Sequence, residues 1–289
     1  MPEELRQEEE NTYILDAESA TEMARLSKQD RLITKGMCGL FSERDDIAGI
    51  HDILDIACGP GAWVLEVAYS YPHIHVVGGD ISRTMINYAR TQASVQGLTN
   101  ADFYVMDVLK RLDFPDNSFD LVNARFLVGF MPQKAWPTIL QECLRILRPG
   151  GVLRLTEFDE PGTTNSPAFE EWLALTFSTT RKAGLTAAPD GRNFGITPLL
   201  RCFLLEAGFQ DINSRSHVID FSNGTPAYEP MYENCEIAFK LVQPFIIKLA
   251  GISQEEVDQK YQKMLAEMTT QDFCGLWYYL TVWGQKPLM

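Results

Sequence analysis

Residues 53–61, ILDIACGPG, are an apolar run that leads directly into a glycine turn. The helix-like segment 62–70 follows, and a second apolar strand, 75–79, ends at Asp80. A strand, a glycine turn and a helix bring backbone N–H groups and a helix N-terminus to one point, where no Cβ blocks a ligand. An acid at the tip of the next strand is placed to hold a ribose diol. The pattern therefore predicts a site for a nucleoside cofactor.

The glycine spacing bears on which nucleoside this site would hold. A dinucleotide-binding turn has the pattern G-x-G-x-x-G, in which the third glycine lets the helix pack closely beside a pyrophosphate. Here the third position is Val64, and the bulky Trp63 precedes it. The chain also has no G-x-x-x-x-G-K-S/T phosphate loop. These observations weaken the dinucleotide interpretation without excluding it, and they favour a nucleoside without phosphate, such as S-adenosylmethionine.

Five short motifs in order resemble those of class I S-adenosylmethionine-dependent methyltransferases. DIACGPG at 55–61 is similar to their first motif, and Asp80 within GDIS at 79–82 is similar to their ribose-binding acid. The others are MDV at 106–108, FPDNSFDLV at 114–122 and LRILRPGG at 144–151. The resemblance covers the central third of the chain well and the flanks more loosely. It implies S-adenosyl-L-methionine as cofactor and S-adenosyl-L-homocysteine as product, with no metal.

Strand-like and helix-like segments alternate through the chain, which predicts an α/β fold with ligands at the carboxyl ends of parallel strands. The resemblance implies a Rossmann-like, seven-stranded, mostly parallel sheet with an antiparallel last strand and helices on both faces. The predicted strands are 53–57, 75–79, 103–106, 119–124, 152–157, 212–221 and 276–284. The predicted helices of the core and its C-terminal flank are 62–70, 82–96, 133–147, 167–183 and 197–207.

We expect one structural domain with three parts. Residues 1–45 form an N-terminal helical cap, 46–160 the cofactor-binding core, and 161–289 the substrate side with the last two strands. The long, mainly helical insertion 228–272 joins two adjacent strands, which is unusual in a compact domain. It is placed to form a lid over a substrate pocket. The alternatives are that it covers a sheet face or makes a dimer contact.

The resemblance also assigns cofactor residues. Gly59 and Gly61 would allow backbone approach to the methionine portion, Asp80 would bind the ribose, and Asp107 would accept from the adenine amino group. Asp55 would orient the turn or meet the cofactor amine. An N-terminal segment closing over the cofactor would contribute Arg25, whose guanidinium suits a carboxylate. The remaining candidates are Tyr13, Ile81, Met106, Val108, Asn123 and Ala124.

Candidates for the acceptor side follow strand four and lie in the flanking loops. They are Phe126, Phe130, Met131, Asn165, Arg192, Asn193, Phe194 and Tyr232. A base is needed only when the acceptor is protonated at working pH, and Glu157 and His217 are the candidates. Either residue could instead have a structural role. His217, for example, alternates with apolar neighbours in a predicted strand.

Composition narrows the class of substrate. The net charge is −14, whereas nucleic-acid binding normally needs a basic face. The turn after strand four, NARF at 123–126, also lacks the Asn/Asp-Pro-Pro-aromatic pattern of base-modifying amino methyltransferases.

The six cysteines contain no C-x-x-C pair, and the four histidines show no metal-ligand spacing. The acidic start of the chain lacks signal-peptide features, and no apolar run is long enough for a bilayer, so we expect a cytoplasmic protein without membrane contact.

These observations predict a methyltransferase acting on a small, aromatic or lipophilic metabolite, as a monomer or homodimer. The chain looks most like the group of quinone-pathway C-methyltransferases and natural-product O- and N-methyltransferases of secondary metabolism. A cyclase or a non-transferring binding protein on the same fold is the alternative, because its cofactor residues would look the same. An NAD-dependent oxidoreductase is the third hypothesis.

Overall fold

The structure, a computed structural model, describes residues 15, 18–44 and 47–288. Its sheet contains β1 (Asp52–Ile56), β2 (His75–Asp80), β3 (Ala101–Val105), β4 (Phe119–Arg125) and β5 (Leu147–Glu157) as neighbouring parallel strands in the order β3-β2-β1-β4-β5. The chain adds β2 and β3 on one side of β1 and then returns to add β4 on the other side, so the carboxyl ends of the parallel strands β1 and β4 border a crevice where the strand order reverses. Ligands bind at such a crevice in open α/β sheets.

The last strands confirm the predicted antiparallel edge and change the count. β8 (Gly275–Gln285) lies between β5 and β7 (Gln210–Asp220) and is antiparallel to both. A two-residue strand, β6 (Thr163–Thr164), pairs with the start of β8 and makes the sheet eight-stranded instead of seven-stranded. The sequence prediction missed β6 because two threonines in a loop carry no period-two pattern.

Helices connect the strands and cover both faces of the sheet. They are α1 (Ala20–Gly36), α2 (Ala62–Ser70), α3 (Arg83–Gln96), α4 (Trp136–Ile146), α5 (Pro167–Lys182) and α6 (Leu200–Ala207). Ser19, Ser82 and Ser166 each begin a helix by accepting a hydrogen bond from the backbone of its first turn. Because successive strand residues face opposite sides, Ile53 and Leu54 lie in two different hydrophobic clusters.

The insertion between β7 and β8 forms α7 (Tyr228–Leu241), α8 (Gln243–Ala250) and α9 (Gln254–Met268). α7 packs against α1, while α8 and α9 pack against α5. The insertion thereby joins the N-terminal helix to the substrate-side helix across the carboxyl end of the sheet. None of the helices in the ranges 18–44 and 47–288 is long and apolar enough to cross a membrane.

The glycine turn depends on Gly61 for packing as well as for backbone conformation. Gly61 has φ +77°, and a Cβ there would lie 2.5 Å from Phe103 Cε1 and 2.9 Å from the Ala89 Cβ. Overpacking costs about 1–3 kcal/mol in addition to the left-handed backbone penalty. We therefore expect Gly61→Ala to lower the free energy of unfolding by about 2–3 kcal/mol.

Gly97 offers a matched control for this substitution. It has φ +68°, but nothing lies within 4 Å of the place that a Cβ would take. Gly97→Ala should therefore cost only the backbone penalty, about 1 kcal/mol. Urea unfolding of both variants measures the difference. Equal losses would show that the close approach of Phe103 is unimportant.

Candidate functional site

A cavity of about 300 Å³ lies at the carboxyl end of the parallel strands, between the sheet and helices α1, α5 and α7. One part of its wall is polar and follows β1, β2 and β3. The other part is aromatic and follows β4, β5 and β8. The two parts form one continuous space, so a cofactor and an acceptor would lie against each other within it.

The first motif and Asp80 are connected on the polar wall. The Gly59 backbone N–H donates to Asp80 Oδ2 over 2.9 Å, and the Ser82 N–H donates to Asp80 Oδ1 over 2.9 Å. Burial raises the pKa of this carboxyl, while the N–H groups of Ser82 and Gly59 oppose that shift. Gly59 has φ +54° and a Cβ there would meet only Leu26 of α1, 3.6 Å away, which leaves its cavity side open.

The end of β3 forms the neighbouring part of the polar wall. Asp107 Oδ1 accepts from the Leu109 N–H over 2.9 Å, and Lys110 Nζ lies 3.5 Å from Asp107 Oδ2. Met106 and Val108 line the cavity on either side of Asp107, and Ile81 lines it from the end of β2. The carboxylate of Asp107 is thus flanked by apolar side chains of the cavity wall.

Three predicted cofactor residues lie outside the cavity wall. Gly61 packs against Phe103, and Asn123 and Ala124 are fully buried in β4. The Asn123 amide donates to Asp55 Oδ1 over 2.7 Å and accepts from Arg154 over 2.6 Å. The positions of Asn123 and Ala124 near the end of β4 suggested direct contact with a ligand, but the pleat of the strand points their side chains into the core. Asn123 thus orients Asp55 and does not face the ligand space.

Asp55 itself lines the cavity beneath the glycine turn. Burial raises its pKa to about 7, and Arg125 and the Asn123 hydrogen bond oppose that rise.

α1 covers this polar wall with Arg25. The guanidinium makes a bidentate pair with the buried Glu22, at 2.7 Å for both contacts, and donates to Asn234 of α7 over 2.7 Å. Arg25 lines the cavity, as expected, but Glu22 already neutralises its charge. Binding of a methionine carboxylate by Arg25 stays a prediction. Tyr13 lies outside the described residues.

An ion pair that sequence reasoning missed joins α1 to the end of β4. Arg125 binds Asp30 Oδ1, and its guanidinium lies 5.8 Å from the centre of the Trp63 ring. Both residues of the pair line the cavity where the polar and aromatic walls meet. Asp30 Oδ2 is buried and has no hydrogen-bond partner among the described residues. Asp30 follows Leu26 by four positions, so an acid on the apolar face of the predicted helix was the available signal.

Aromatic rings form the other half of the cavity. Phe126 and Phe158 meet edge to face at 4.9 Å, and each lies within 5.6 Å of the Trp277 ring centre. Phe194 meets Phe158 at 5.8 Å. Further lining residues come from the helices above: Ile33, Leu173, Thr176, Phe177, Cys235, Ala238, Phe239 and Val242. The helical insertion therefore supplies part of the wall, as the lid hypothesis requires.

Two loops hold the aromatic side chains in place. Phe126 has a left-handed backbone, φ +59°, and its N–H donates to the Thr156 carbonyl over 2.9 Å. Asp159 accepts from the backbone N–H groups of Ile196 and Thr197 at 2.7 and 3.0 Å. It thereby ties the loop that carries Phe194 to the end of β5.

Of the predicted acceptor residues, Phe126, Phe130 and Phe194 line the cavity and the others do not. Met131 is a core residue. Asn165 is exposed. Its side chain donates a hydrogen bond to the Asp272 carbonyl and accepts one from the Cys274 N–H, just before β8 begins. Arg192 pairs with Asp190 on the surface, and the remaining two, Asn193 and Tyr232, also lie off the cavity. The loop residues were predicted from polarity alone, which does not tell which side of a loop faces the site.

The two predicted bases also lie away from the cavity. Glu157 is completely buried, and its carboxylate accepts from the N–H groups of Leu127 and Val128 at 2.8 and 3.3 Å, so it caps the turn after β4. His217 is stacked on Tyr279 at 5.2 Å and lies 3.2 Å from Thr281 Oγ1. Both side chains thus support the protein structure and contact no ligand space.

Glu157 gives a pH-dependent prediction for stability. Burial raises its pKa to about 8. Because this folded-state pKa lies above the unfolded value, the protonated group stabilises the fold at low pH, and that stability is lost as the pH rises to about 8. Glu157→Gln should remove this dependence, so the variant should gain about 3 kcal/mol relative to wild type between about pH 5 and about pH 8. Urea unfolding at both pH values measures it, and parallel pH profiles would contradict it.

Comparisons with known proteins agree with this geometry. A family model described as "Methyltransferase domain" matches residues 53–151, which span the glycine turn, β2 to β4 and the turn within β5. Over this segment the chain resembles the class I S-adenosylmethionine-dependent methyltransferases. The chain is 27% identical over 253 residues to methyltransferase pytC of Aspergillus terreus, covering 81% of this chain and 71% of the relative. It is 31% identical over 121 residues to a demethylmenaquinone methyltransferase of Listeria monocytogenes, covering 42% of this chain and 48% of the relative.

Solved structures share the fold of this chain. The 4+2 cyclase SpnF has a TM-score of 0.54 and 21% identity, covering 95% of this chain and 97% of that chain. Phosphoethanolamine N-methyltransferase 2 of Haemonchus contortus, solved with S-adenosylhomocysteine, has a TM-score of 0.52 and 19% identity, covering 88% and 52%. At these identities the likeness concerns the fold alone. Within residues 18–44 and 47–288, no group of three or more His, Cys, Asp or Glu side chains is arranged to hold a metal ion.

Proposed function

We propose that the protein transfers the methyl group of S-adenosyl-L-methionine to a small, aromatic or lipophilic acceptor. The observation that carries the proposal is the division of one cavity into a polar wall at β1 to β3 and an aromatic wall at β4, β5 and β8. Ligand pockets are mostly apolar with a few placed polar groups, which is the composition of this space.

The polar wall suits the cofactor of this family. We assign Asp80 to the ribose hydroxyls, Gly59 to the methionine portion and Asp107 to the adenine amino group, with Met106 and Val108 against the ring. The open side of Gly59 and the half-buried carboxylate of Asp80 beside it support this assignment. The carboxyl ends of β1 and β2 place the two groups side by side.

When bound, the cofactor supplies an electrophilic methyl group that needs no further activation. The protein's contribution is alignment, which is worth about 7–11 kcal/mol in well-oriented reactions. We assign the acceptor to the aromatic wall and assign Asp30 to the proton of an acceptor hydroxyl. Asp30 lines the cavity where the two walls meet, and its Oδ2 has no partner among the described residues.

A transfer assay tests the proposed function directly. Purified protein is incubated with a methyl-labelled donor and a library of aromatic and lipophilic compounds, and S-adenosylhomocysteine formation is measured with and without each compound. We expect acceptor-dependent turnover. Retention of the donor without turnover, together with conversion of a compound into an isomer, would instead favour the cyclase alternative. Calorimetry with S-adenosylmethionine and with NAD tests the oxidoreductase hypothesis, which requires binding of NAD.

A further inference from the structure

A single guanidinium nitrogen holds two primary amides where α1 meets α7. Arg25 Nη1 donates to Gln29 Oε1 over 2.5 Å and to Asn234 Oδ1 over 2.7 Å. The other two guanidinium nitrogens pair with the carboxylate of Glu22, which is fully buried. Arg25 and both amide side chains line the cavity. The oxygen of each amide is therefore fixed, and with it the direction of the amide NH2 group.

The two NH2 groups are donors that the rest of the protein does not use. The contact with Arg25 is the one hydrogen bond that each amide makes, so Gln29 Nε2 and Asn234 Nδ2 have no partner among the described residues. The polar atoms in this part of the chain that are sealed off without a partner do not include these two nitrogens. Both nitrogens thus keep accessible surface, and each carries two N–H groups.

The two amides lie at the glycine-turn end of the cavity. Leu26 follows Arg25 in α1, and its Cδ1 is 3.6 Å from the place that a Cβ on Gly59 would take. Phe239, one helical turn beyond Asn234 along α7, lines the aromatic half instead. The amides therefore belong to the part of the cavity that we assign to the methionine portion of the cofactor.

We infer that Gln29 and Asn234 bind the carboxylate of this methionine portion through their amide N–H groups, and that Arg25 is a positioning residue that holds both amides. The inference rests on the proposed function, because it takes S-adenosylmethionine as the cofactor. Amides whose oxygens are occupied can only donate, and a carboxylate only accepts. The guanidinium is already neutralised by Glu22, so its contribution is to orient and polarise the two amides.

The ammonium group of the methionine portion does not fit the same place, because it would face N–H groups. The carboxylate of Asp55, which lines the cavity beneath the glycine turn, is the acceptor suited to it. Asn234 belongs to the helical insertion, so the insertion would contribute to the cofactor site as well as to the aromatic wall. Binding of the carboxylate would then help to hold α7 against α1.

The test measures how strongly each protein prefers S-adenosylmethionine over its decarboxylated form, two probes that differ only in the carboxylate. The proteins are wild type, Gln29→Met, Asn234→Leu and Glu233→Gln. The first two substitutions remove an amide and keep the size and the charge of the side chain. Glu233→Gln is the matched control, because it breaks the exposed contact with Lys28 between α7 and α1 without removing a cavity group. Calorimetry gives the ratio of the two dissociation constants.

We expect the preference for S-adenosylmethionine to fall about ten- to hundredfold in Gln29→Met and in Asn234→Leu, since each loses a hydrogen bond to a charged group. It should stay at the wild-type value in Glu233→Gln. Unchanged ratios in both amide variants would overturn the inference and leave the proposed function standing. Equal binding of the two probes by wild type would do the same. Failure of wild type to bind S-adenosylmethionine would overturn the inference and the proposed function together.

Arg25→Lys tests the positioning role. Lysine keeps the charge beside Glu22, but it lacks the planar fork that holds both amide oxygens. If Arg25 acts through the amides, the preference for S-adenosylmethionine should fall as it does in the amide variants. A wild-type preference in Arg25→Lys would show that the charge alone holds the carboxylate, which would overturn the positioning role.

A measurement on wild type keeps the inference testable if the variants do not fold. Nuclear magnetic resonance follows the side-chain NH2 signals of Gln29 and Asn234, each assigned through its own backbone. Both signals should lie further downfield in the complex with S-adenosylmethionine than in the complex with its decarboxylated form. Equal positions in the two complexes would overturn the inference, because the carboxylate would then make no contact with either amide.

Discussion

Replacing Asp80 with alanine is expected to weaken the binding of S-adenosylmethionine roughly 1,000-fold. Hydrogen bonds to a charged group contribute about 1.5–3 kcal/mol each, and a ribose diol offers two of them to one carboxylate. Asp80 is held for this by the N–H groups of Gly59 and Ser82, which fix both of its oxygens at the end of β2. Calorimetry with the cofactor measures the loss.

Two further variants separate ligand contact from damage to the turn. Asp80→Asn keeps one acceptor oxygen and should show an intermediate affinity. Asp102→Ala removes an exposed acid on β3 that contacts His75 at 2.8 Å, and it should bind the cofactor like wild type. Cofactor affinity within threefold of wild type in Asp80→Ala would remove this residue from the cofactor site.

The core of the fold could be predicted because its signals are local. β1 and β2 are buried on both faces, so they read as continuous apolar runs, and the glycine turn between them follows from backbone conformation. The placement of Asp80 and Asp107 at strand ends follows from the same alternation. Strand β6 escaped because it consists of two residues that pair only through β8.

The aromatic half of the site depends on contacts between distant parts of the chain. Phe126 and Trp277 are neighbours because β8 inserts beside β5, and no spacing in the sequence indicates which rings meet. Asn234 reaches the polar wall only because α7 packs on α1. Glu157 was expected at the site because it ends β5, but its carboxylate caps the turn that follows β4. The position of a residue along a strand predicts how close its side chain lies to the carboxyl end of the sheet, whereas the groups that the side chain contacts determine its role.

Replacing Asp30 with asparagine is expected to lower kcat about 100- to 10,000-fold when the acceptor is a hydroxyl compound, which is the usual contribution of a positioned general base. Asparagine keeps the shape and still accepts from Arg125 through its amide oxygen, so the ion pair becomes a hydrogen bond. The atom that changes is Oδ2, which has no hydrogen-bond partner among the described residues. A stopped single-turnover assay with the acceptor found in the transfer screen measures the chemical step.

Lys28→Ala is the matched control, because Lys28 lies on the same helix and its exposed ammonium contacts Glu233 at 2.6 Å. This variant perturbs the contact between α1 and α7 without removing a cavity group, so kcat should stay within twofold of wild type. A loss of kcat in Asp30→Asn with unchanged cofactor affinity assigns the proton to Asp30. If Asp30→Asn instead turns over at the wild-type rate, the acceptor atom carries no proton to remove. Alignment along the aromatic wall then accounts for the catalysis alone.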